Sequence, residues 1–388
     1  MFKDVTMNIK NVVIGLTLSF LLDSGVVVAA DYDKGIEAYE AYDYESALKE
    51  LTPLAEQGHA SAQFYLGQIY KINGERKNEI KWYTKSAEQG FVKAQYMLGQ
   101  SYEGQGAFKT AFDWYVKASK QGDYDAQHSL GTFYKQGKGT VQNYPTAIKW
   151  LTKSAEQGDY LAQNDLADMY KRGEGVPRDY SLAIKWYANA AAHDDVWKAR
   201  LGQSSLGDMY FEGNGTLQNY KEALFWYKRA AEEGHWPYAM HMIGDMYKRG
   251  EGTVQDYGAA IEWYKRATGT AFLNPDAMYK LGIMHREGLG TLQDYAEAIR
   301  WFREAINSSF GHAAAQNALG SMHEKGMGTV KDNIKAHMWW NLADYNGNAI
   351  ARENRDEVEK IMTSLQVIEA QSLARECIDQ YQQRYCLE

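Results

Sequence analysis

An all-α solenoid of helix–loop–helix repeats is the fold class this 388-residue sequence predicts. Three observations predict it. An L-G-x-x-Y motif followed by a Trp recurs eight times, at Leu66-Gly67…Tyr70, Leu98-Gly99…Tyr102, Leu130-Gly131…Tyr134, Leu166-Ala167…Tyr170, Leu206-Gly207…Tyr210, Ile243-Gly244…Tyr247, Leu281-Gly282…His285 and Leu319-Gly320…His323. The steps between the central residues run 32, 32, 36, 40, 37, 38 and 38, a period that marks stacked units rather than one central core. Apolar residues make up 45% and aromatics 13%, enough to fill a continuous interior, and five prolines with no low-complexity tract argue against disorder.

Residues 1–30 read as an export signal. Lys3 and Lys10 lie near the start, Val12 to Leu22 is apolar, and Val28-Ala29-Ala30 offers small residues for cleavage before Asp31. The apolar run is too short to span a bilayer comfortably. Asp4 and Asp23 depart from the ideal pattern, translation from Met7 gives a cleaner signal, and a first buried or anchoring helix is the alternative. Removing these residues takes away two Lys and two Asp, so the net charge stays at −8.

Residues 31–58 form an N-terminal helical hairpin, Ile36 to Tyr42 and then Tyr44 to Glu56, with Pro53 kinking or ending the second helix. Residues 59–345 carry the repeats. In residues 126–158, Leu130, Gly131 and Tyr134 stand at helical spacing, and Gly137 and Gly139 end that helix. Asn143 caps the next helix, on which Tyr144, Ala147 and Trp150 follow at three-residue steps, and Gly158 closes it. Later copies keep the loop at Gly173-x-Gly175, Gly213-x-Gly215, Gly250-x-Gly252, Gly288-x-Gly290 and Gly326-x-Gly328. They also keep the cap, at Asp179, Asn219, Asp256, Asp294 and Asp332, and the Trp, at Trp186, Trp226, Trp263, Trp301 and Trp339. The Gly anchors let the partner helix approach closely, and the Trp residues fill the seam between helices. The first two units are shorter and turn tightly around Asn73-Gly74 and Gly104–Gly106. Residues 346–388 supply polar capping helices, Arg352–Met362 and about Ser364–Gln382, as the last apolar face of a solenoid requires. On one continuous helix Cys377 and Cys386 would stand about 13.5 Å apart, beyond disulfide reach. Whether they pair depends on a helix break.

The L-G-x-x-Y, G-x-G-T-x-Q-D-Y, A-x-x-W-Y and A-E-Q-G segments resemble the Sel-one-like repeat (SLR) family, a relative of tetratricopeptide repeats. Met338-Trp339-Trp340-Asn341-Leu342-Ala343 and Glu369 to Glu376 resemble the usual ending of bacterial members. The resemblance implies a right-handed α/α superhelix with a concave groove. It also implies an adaptor role in envelope function, in host-cell interaction and virulence, or in membrane-complex scaffolding. The repeats hold no cysteine, so the properties of the family's cysteine-rich branch do not carry over.

By similarity to tetratricopeptide repeats, positions −6, −3, +1 and +4 from the Gly anchor line the groove. The candidate partner-binding residues are Phe64, Tyr96, His128, Asn164, His241 and Tyr279 at −3, and Asp168, Asp208 and Asp245 at +1. The aspartates form an acidic run with Lys171 and Lys248 three residues on. They read either as local i,i+3 ion pairs or as a site for a basic partner segment. The variable stripe fits a graded binding surface and also an idle solvated one.

No H-E-x-x-H, paired C-x-x-C, G-x-S-x-G or P-loop is present. The S-x-x-K at Ser46–Lys49 lacks its companion motifs. His59, His235 and His312 share one repeat position and His285 and His323 replace the repeat Tyr, which argues against metal ligation. Asn214-Gly215-Thr216 and Asn307-Ser308-Ser309 fit the glycan acceptor pattern, which matters only in a eukaryotic source. No Lys/Arg-rich run marks a nucleic-acid footprint. The expectation is an exported, periplasmic or secreted, monomeric non-enzyme without cofactor or metal, binding a protein or peptide. An envelope hydrolase of peptidoglycan or β-lactam, a regulator of another enzyme and a lipid-headgroup binder are the alternatives.

Overall fold

The structure is a computed structural model that describes residues 30–232, 236–269, 273–309 and 311–380. The export-signal residues 1–29, His235 and Cys386 lie outside the described residues. Two compact units divide the chain, residues 1–94 and 95–388. The first holds the hairpins α1 (Tyr32–Glu40) with α2 (Tyr44–Glu56) and α3 (Ala60–Ile72) with α4 (Arg76–Glu88). Next comes α5 (Val92–Glu103), which falls mostly in the second unit and pairs with α6 (Phe108–Lys120). The second unit continues with α7 (Tyr124–Gln136), α8 (Tyr144–Glu156), α9 (Tyr160–Arg172), α10 (Tyr180–Ala191), α11 (Val196–Glu212) and α12 (Tyr220–Glu232). It ends with α13 (Pro237–Arg249), α14 (Tyr257–Thr268), α15 (Pro275–Glu287), α16 (Tyr295–Ser309), α17 (Ala313–Lys325), α18 (Asn333–Tyr345), α19 (Ala349–Glu359) and α20 (Ser364–Gln380). Among the described residues there is no strand. Packing within the second unit joins helices adjacent in order, with α9 also touching α11 and α18 touching α20. This is the all-α, repeat-on-repeat architecture the period demands.

Local chemistry sets the helix ends. All six expected Asn/Asp caps accept a backbone N–H: Asn143 from Thr146, Asp179 from Leu182, Asn219 from Glu222, Asp256 from Ala259, Asp294 from Glu297 and Asp332 from Lys335. At the other end, Gly137 takes φ 71°, the left-handed conformation that costs glycine nothing, and its N–H bonds to the Phe133 carbonyl. The long loops are stapled. The Gln142 side chain donates to the Lys135 carbonyl at 2.8 Å, and Gln218, Gln255 and Gln293 repeat the bond to Phe211, Lys248 and Arg286.

The seam is filled differently from the sequence expectation. A Cβ added to Gly244 would lie 2.5 Å from Tyr264, and one added to Gly67 would lie 2.3 Å from Tyr83. Gly99, Gly207, Gly282 and Gly320 stand against Tyr115, Tyr227, Phe302 and Trp340 in the same way. The buried ring is thus the residue after the Trp. Trp114, Trp150, Trp186, Trp226, Trp263 and Trp301 are only half-buried, although Trp82 and Trp339 are buried. One helical residue step turns a side chain by 100°, and that step separates the seam from the flank. On the flank, a cation three residues on covers the indole: Lys85 over Trp82, Lys117 over Trp114, Lys153 over Trp150 and Arg266 over Trp263, at 3.7–4.6 Å.

Helix boundaries differ from the sequence reading at the two ends. Helix α1 starts at Tyr32 rather than Ile36, because Asp31 caps it by accepting from Asp33 and Lys34. It stops at Glu40, and Tyr42 takes φ 62° in the turn. Helix α2 runs through Pro53 to Glu56; the proline stands in the last turn, where few carbonyls lose a donor. Helices α19 and α20 supply the C-terminal cap. Ala351 and Val358 cover Ala336, Trp340 and Ala343, while Ala374 and Cys377 join the cluster of Trp339 and Leu342. Arg352 and Arg355 each reach Asp344 at 2.8 Å. Helix α11 has 17 residues where α9 and α13 have 13. Counted from the anchors, the surplus is one turn at its N-terminus, and it accounts for the 40-residue step.

Candidate partner-binding face

The first helix of each hairpin carries the variable stripe. Its −3 residues form a layer over the seam rings. Phe64 is buried, 6.0 Å from Tyr83 and 5.3 Å from Phe91. Tyr96 lies 5.9 Å from Tyr115, His241 lies 6.0 Å from Tyr264, and Tyr279 lies 5.7 Å from Phe302. These three stay half-buried with an outer edge; burial pushes the Tyr96 hydroxyl up to about 12 and the His241 imidazole down. Asn164 is buried and donates to the Tyr160 carbonyl at 2.7 Å. Phe64 and Asn164 therefore brace the face rather than present themselves on it.

His128 ties two hairpins together. Its Nε2 lies 2.8 Å from Asp165, which Lys135 also meets at 3.1 Å. Burial alone would lower the imidazole pKa, but the Asp165 hydrogen bond and the charges of Asp159, Asp165 and Asp125 outweigh it, and the net shift is upward. Further links cross from one first helix to the next: Lys171 to Glu212 at 3.4 Å, Lys280 to Asp245 at 3.4 Å, and the α17 cap His312 to Asp276 at 3.1 Å. His59 and His312 serve as helix caps, each Nδ1 accepting a backbone N–H at 3.1 Å.

The i,i+3 pairs of Asp168 with Lys171 and Asp245 with Lys248 do not form. Each carboxylate is drawn inward to the seam Tyr of its own hairpin: Tyr187 donates to Asp168, Tyr227 to Asp208 at 2.6 Å and Tyr264 to Asp245 at 2.5 Å. Within the same helix the cations that reach them stand four residues on, Arg172 at 3.8 Å from Asp168 and Arg249 at 3.6 Å from Asp245, which Lys280 also meets. Where +1 is Ile283, the seam ring is Phe302, which has no hydroxyl to satisfy. Burial raises the Asp245 carboxyl, but the Tyr264 bond and the charges of Lys280, His241 and Arg249 reverse this and the net shift is downward. Asp208 differs. The residue four on is Glu212, and no cation lies within 4 Å of it among the described residues. Its partners are two hydroxyls, Tyr227 and, at 2.8 Å, Tyr238 of the next hairpin. Burial raises its pKa and the Glu212 charge adds to this, while the two hydroxyls and the Lys171 charge offset only part of it.

Trp197, Arg200, Trp236 and Tyr238, all near Asp208, are not among the residues the sequence singles out. On α11, Trp197, Leu201, Ser204 and Asp208 share one stripe at helical spacing. The guanidinium of Arg200 stacks between Trp197 at 4.4 Å and Trp236 at 4.7 Å, and Tyr238 borders Asp208. The available signal was the 40-residue step itself, which places a Trp in the surplus turn.

Hairpins packed only on their neighbours define a helical repeat solenoid. The Sel1 repeat matches this chain seven times, over residues 92–123, 125–159, 161–195, 200–235, 237–268, 275–310 and 313–348, and a tetratricopeptide repeat matches residues 32–90. The chain belongs to the Sel1 repeat family. A Sel1 repeat protein from Oxalobacter formigenes is 30% identical to it over 80% of this chain and 90% of that one, with a TM-score of 0.63. The protein c5321, a protective antigen present in uropathogenic Escherichia coli strains and displaying an SLR fold, is 26% identical over 86% of this chain and 95% of its own, with a TM-score of 0.50. No curated protein matches. Residues 196–199 fall between two matched repeats, and the first L-G-x-x-Y copy falls in the tetratricopeptide match. The fold points to a protein-interaction scaffold, and among the described residues no helix is long and apolar enough to cross a membrane.

Proposed function

We propose that the chain is an exported, monomeric, non-enzymatic adaptor that binds a protein or peptide along the first helices of its second unit. One observation carries the reading. The seam is nearly invariant and buried, while the stripe beside it varies and leaves Leu161, Trp197 and Tyr238 exposed by 41, 52 and 41%, although each stands on an otherwise well-packed helix. Large apolar and aromatic side chains left this exposed are typical binding anchors. Tyr96, His128, Asp168, Asp208, His241 and Tyr279 provide the surrounding polar edge, with Asn164 and Asp245 beneath it.

Capture from an envelope extract tests this. The chain should retain a partner that the combined variant Leu161→Ser, Trp197→Ser, Tyr238→Ser loses while its helical circular dichroism stays unchanged. Equal retention by the variant would remove the face from consideration. The export reading predicts that protein recovered from the envelope starts at Asp31 by intact mass. An uncleaved chain confined to the cytosol would overturn it.

A further inference from the structure

The three aspartates of the stripe are not equivalent, and the difference points to a ligand. Asp168 and Asp245 each have an arginine four residues on that comes within 4 Å. At Asp208 that arginine is replaced by Glu212, whose own cation, Lys171, belongs to the preceding hairpin. A half-buried carboxylate with no cation in contact is costly to keep; two tyrosine hydroxyls and the more distant Lys171 charge compensate it only in part, and Glu212 adds to the cost. Two independent features accompany it on the same stripe. Ser204, one turn before Asp208, is 3% exposed and its hydroxyl has no hydrogen-bond partner among the described residues. The surplus turn of α11 adds Trp197, which has one indole face against Arg200 and more than half of its surface open to solvent.

We propose that Asp208 receives a lysine or arginine side chain from an extended partner peptide, with Trp197 and Tyr238 as aromatic flanks and the Ser204 hydroxyl as an added acceptor. The proposal rests on the peptide-binding reading above and names the chemistry of the ligand. A partner cation supplies the charge that Arg172 and Arg249 supply within the chain at the equivalent aspartates. An exposed indole favours the same cation through its ring face. An acidic or purely apolar segment gains neither interaction.

Randomised dodecapeptides displayed on phage, selected on the immobilised full chain, provide the test. Selected peptides should be enriched in Lys and Arg, and their binding should weaken with salt. Asp208→Asn should reduce binding by about tenfold or more. Glu212→Arg, which installs the arginine found beside the other two aspartates, should do the same. Glu262→Gln, an exposed carboxylate on α14 away from the stripe, is the control and should leave affinity within a few-fold. Asp208→Asn keeps an acceptor for the tyrosine hydroxyls and Glu212→Arg gives up only the partly exposed Lys171 tie, so both variants should keep the wild-type helical circular dichroism and a cooperative unfolding transition. Selected peptides without a basic bias, or with affinity unchanged by Asp208→Asn and Glu212→Arg, would overturn this proposal while leaving the peptide-binding face intact. Enrichment of no peptide at all by the wild-type chain would overturn both.

Discussion

His128 shows how a side chain's place on its own helix can be legible while its neighbours are not. Its −3 position put it on the stripe, but only the structure brings Asp165, 37 residues away, to its ring. Sequence spacing within a helix gives no view of the next helix's side chains, and that is why this tie was illegible. Its net upward pKa shift has a definite consequence. A folded-state pKa above the ordinary 6.5 means the stabilising proton is fully bound below about pH 6.5 and is lost as pH rises through the folded value. Urea unfolding at pH 5.5 and 8.5 should therefore show wild type exceeding His128→Gln by more at the lower pH. A difference that is constant, or larger at pH 8.5, contradicts the ion pair.

The hairpin is the scale at which the sequence was most legible. Caps such as Asn143 and glycines such as Gly244 are chemically specific, so their roles followed directly. The choice between Trp263 and Tyr264 for the seam did not follow, since both are aromatic and differ by one step of rotation. A clue was nevertheless present: Asp168, Asp208 and Asp245 precede Tyr187, Tyr227 and Tyr264 by 19 residues, whereas Ile283 precedes Phe302 by the same distance. The carboxylate and the hydroxyl thus form one unit joining α13 to α14. Asp245→Ile strands a buried hydroxyl and should cost about 2 kcal/mol. Adding Tyr264→Phe, which copies the Ile283/Phe302 hairpin, should recover a large part of it, with a coupling of about 1 kcal/mol in a double-mutant cycle. Strict additivity in chemical denaturation would show that the bond does not join the two helices.

In the second unit as a whole, stability passes from hairpin to hairpin rather than through a shared interior. Ending the chain at Tyr345 removes α19 and α20 and uncovers Trp340 and Ala343. Hydrogen exchange should then accelerate in α17 and α18 while α7 and α8 keep their protection, because coupling in a linear array decays with distance. Uniform loss of protection would argue for a single cooperative block. The order of hairpins and the polar end were legible because repetition writes the same packing rule many times. The charge pattern along the stripe was not, because each carboxylate takes its hydroxyl partner from the second helix of its hairpin.

The longer α11 also bears on alignment. A uniform array offers an elongated ligand several equivalent positions one repeat apart, and such a ligand slides among them with little energetic preference. Unequal steps remove that degeneracy. The extra turn of α11 gives the second unit a landmark among its described first helices, and anything laid along them has a single lowest-energy frame.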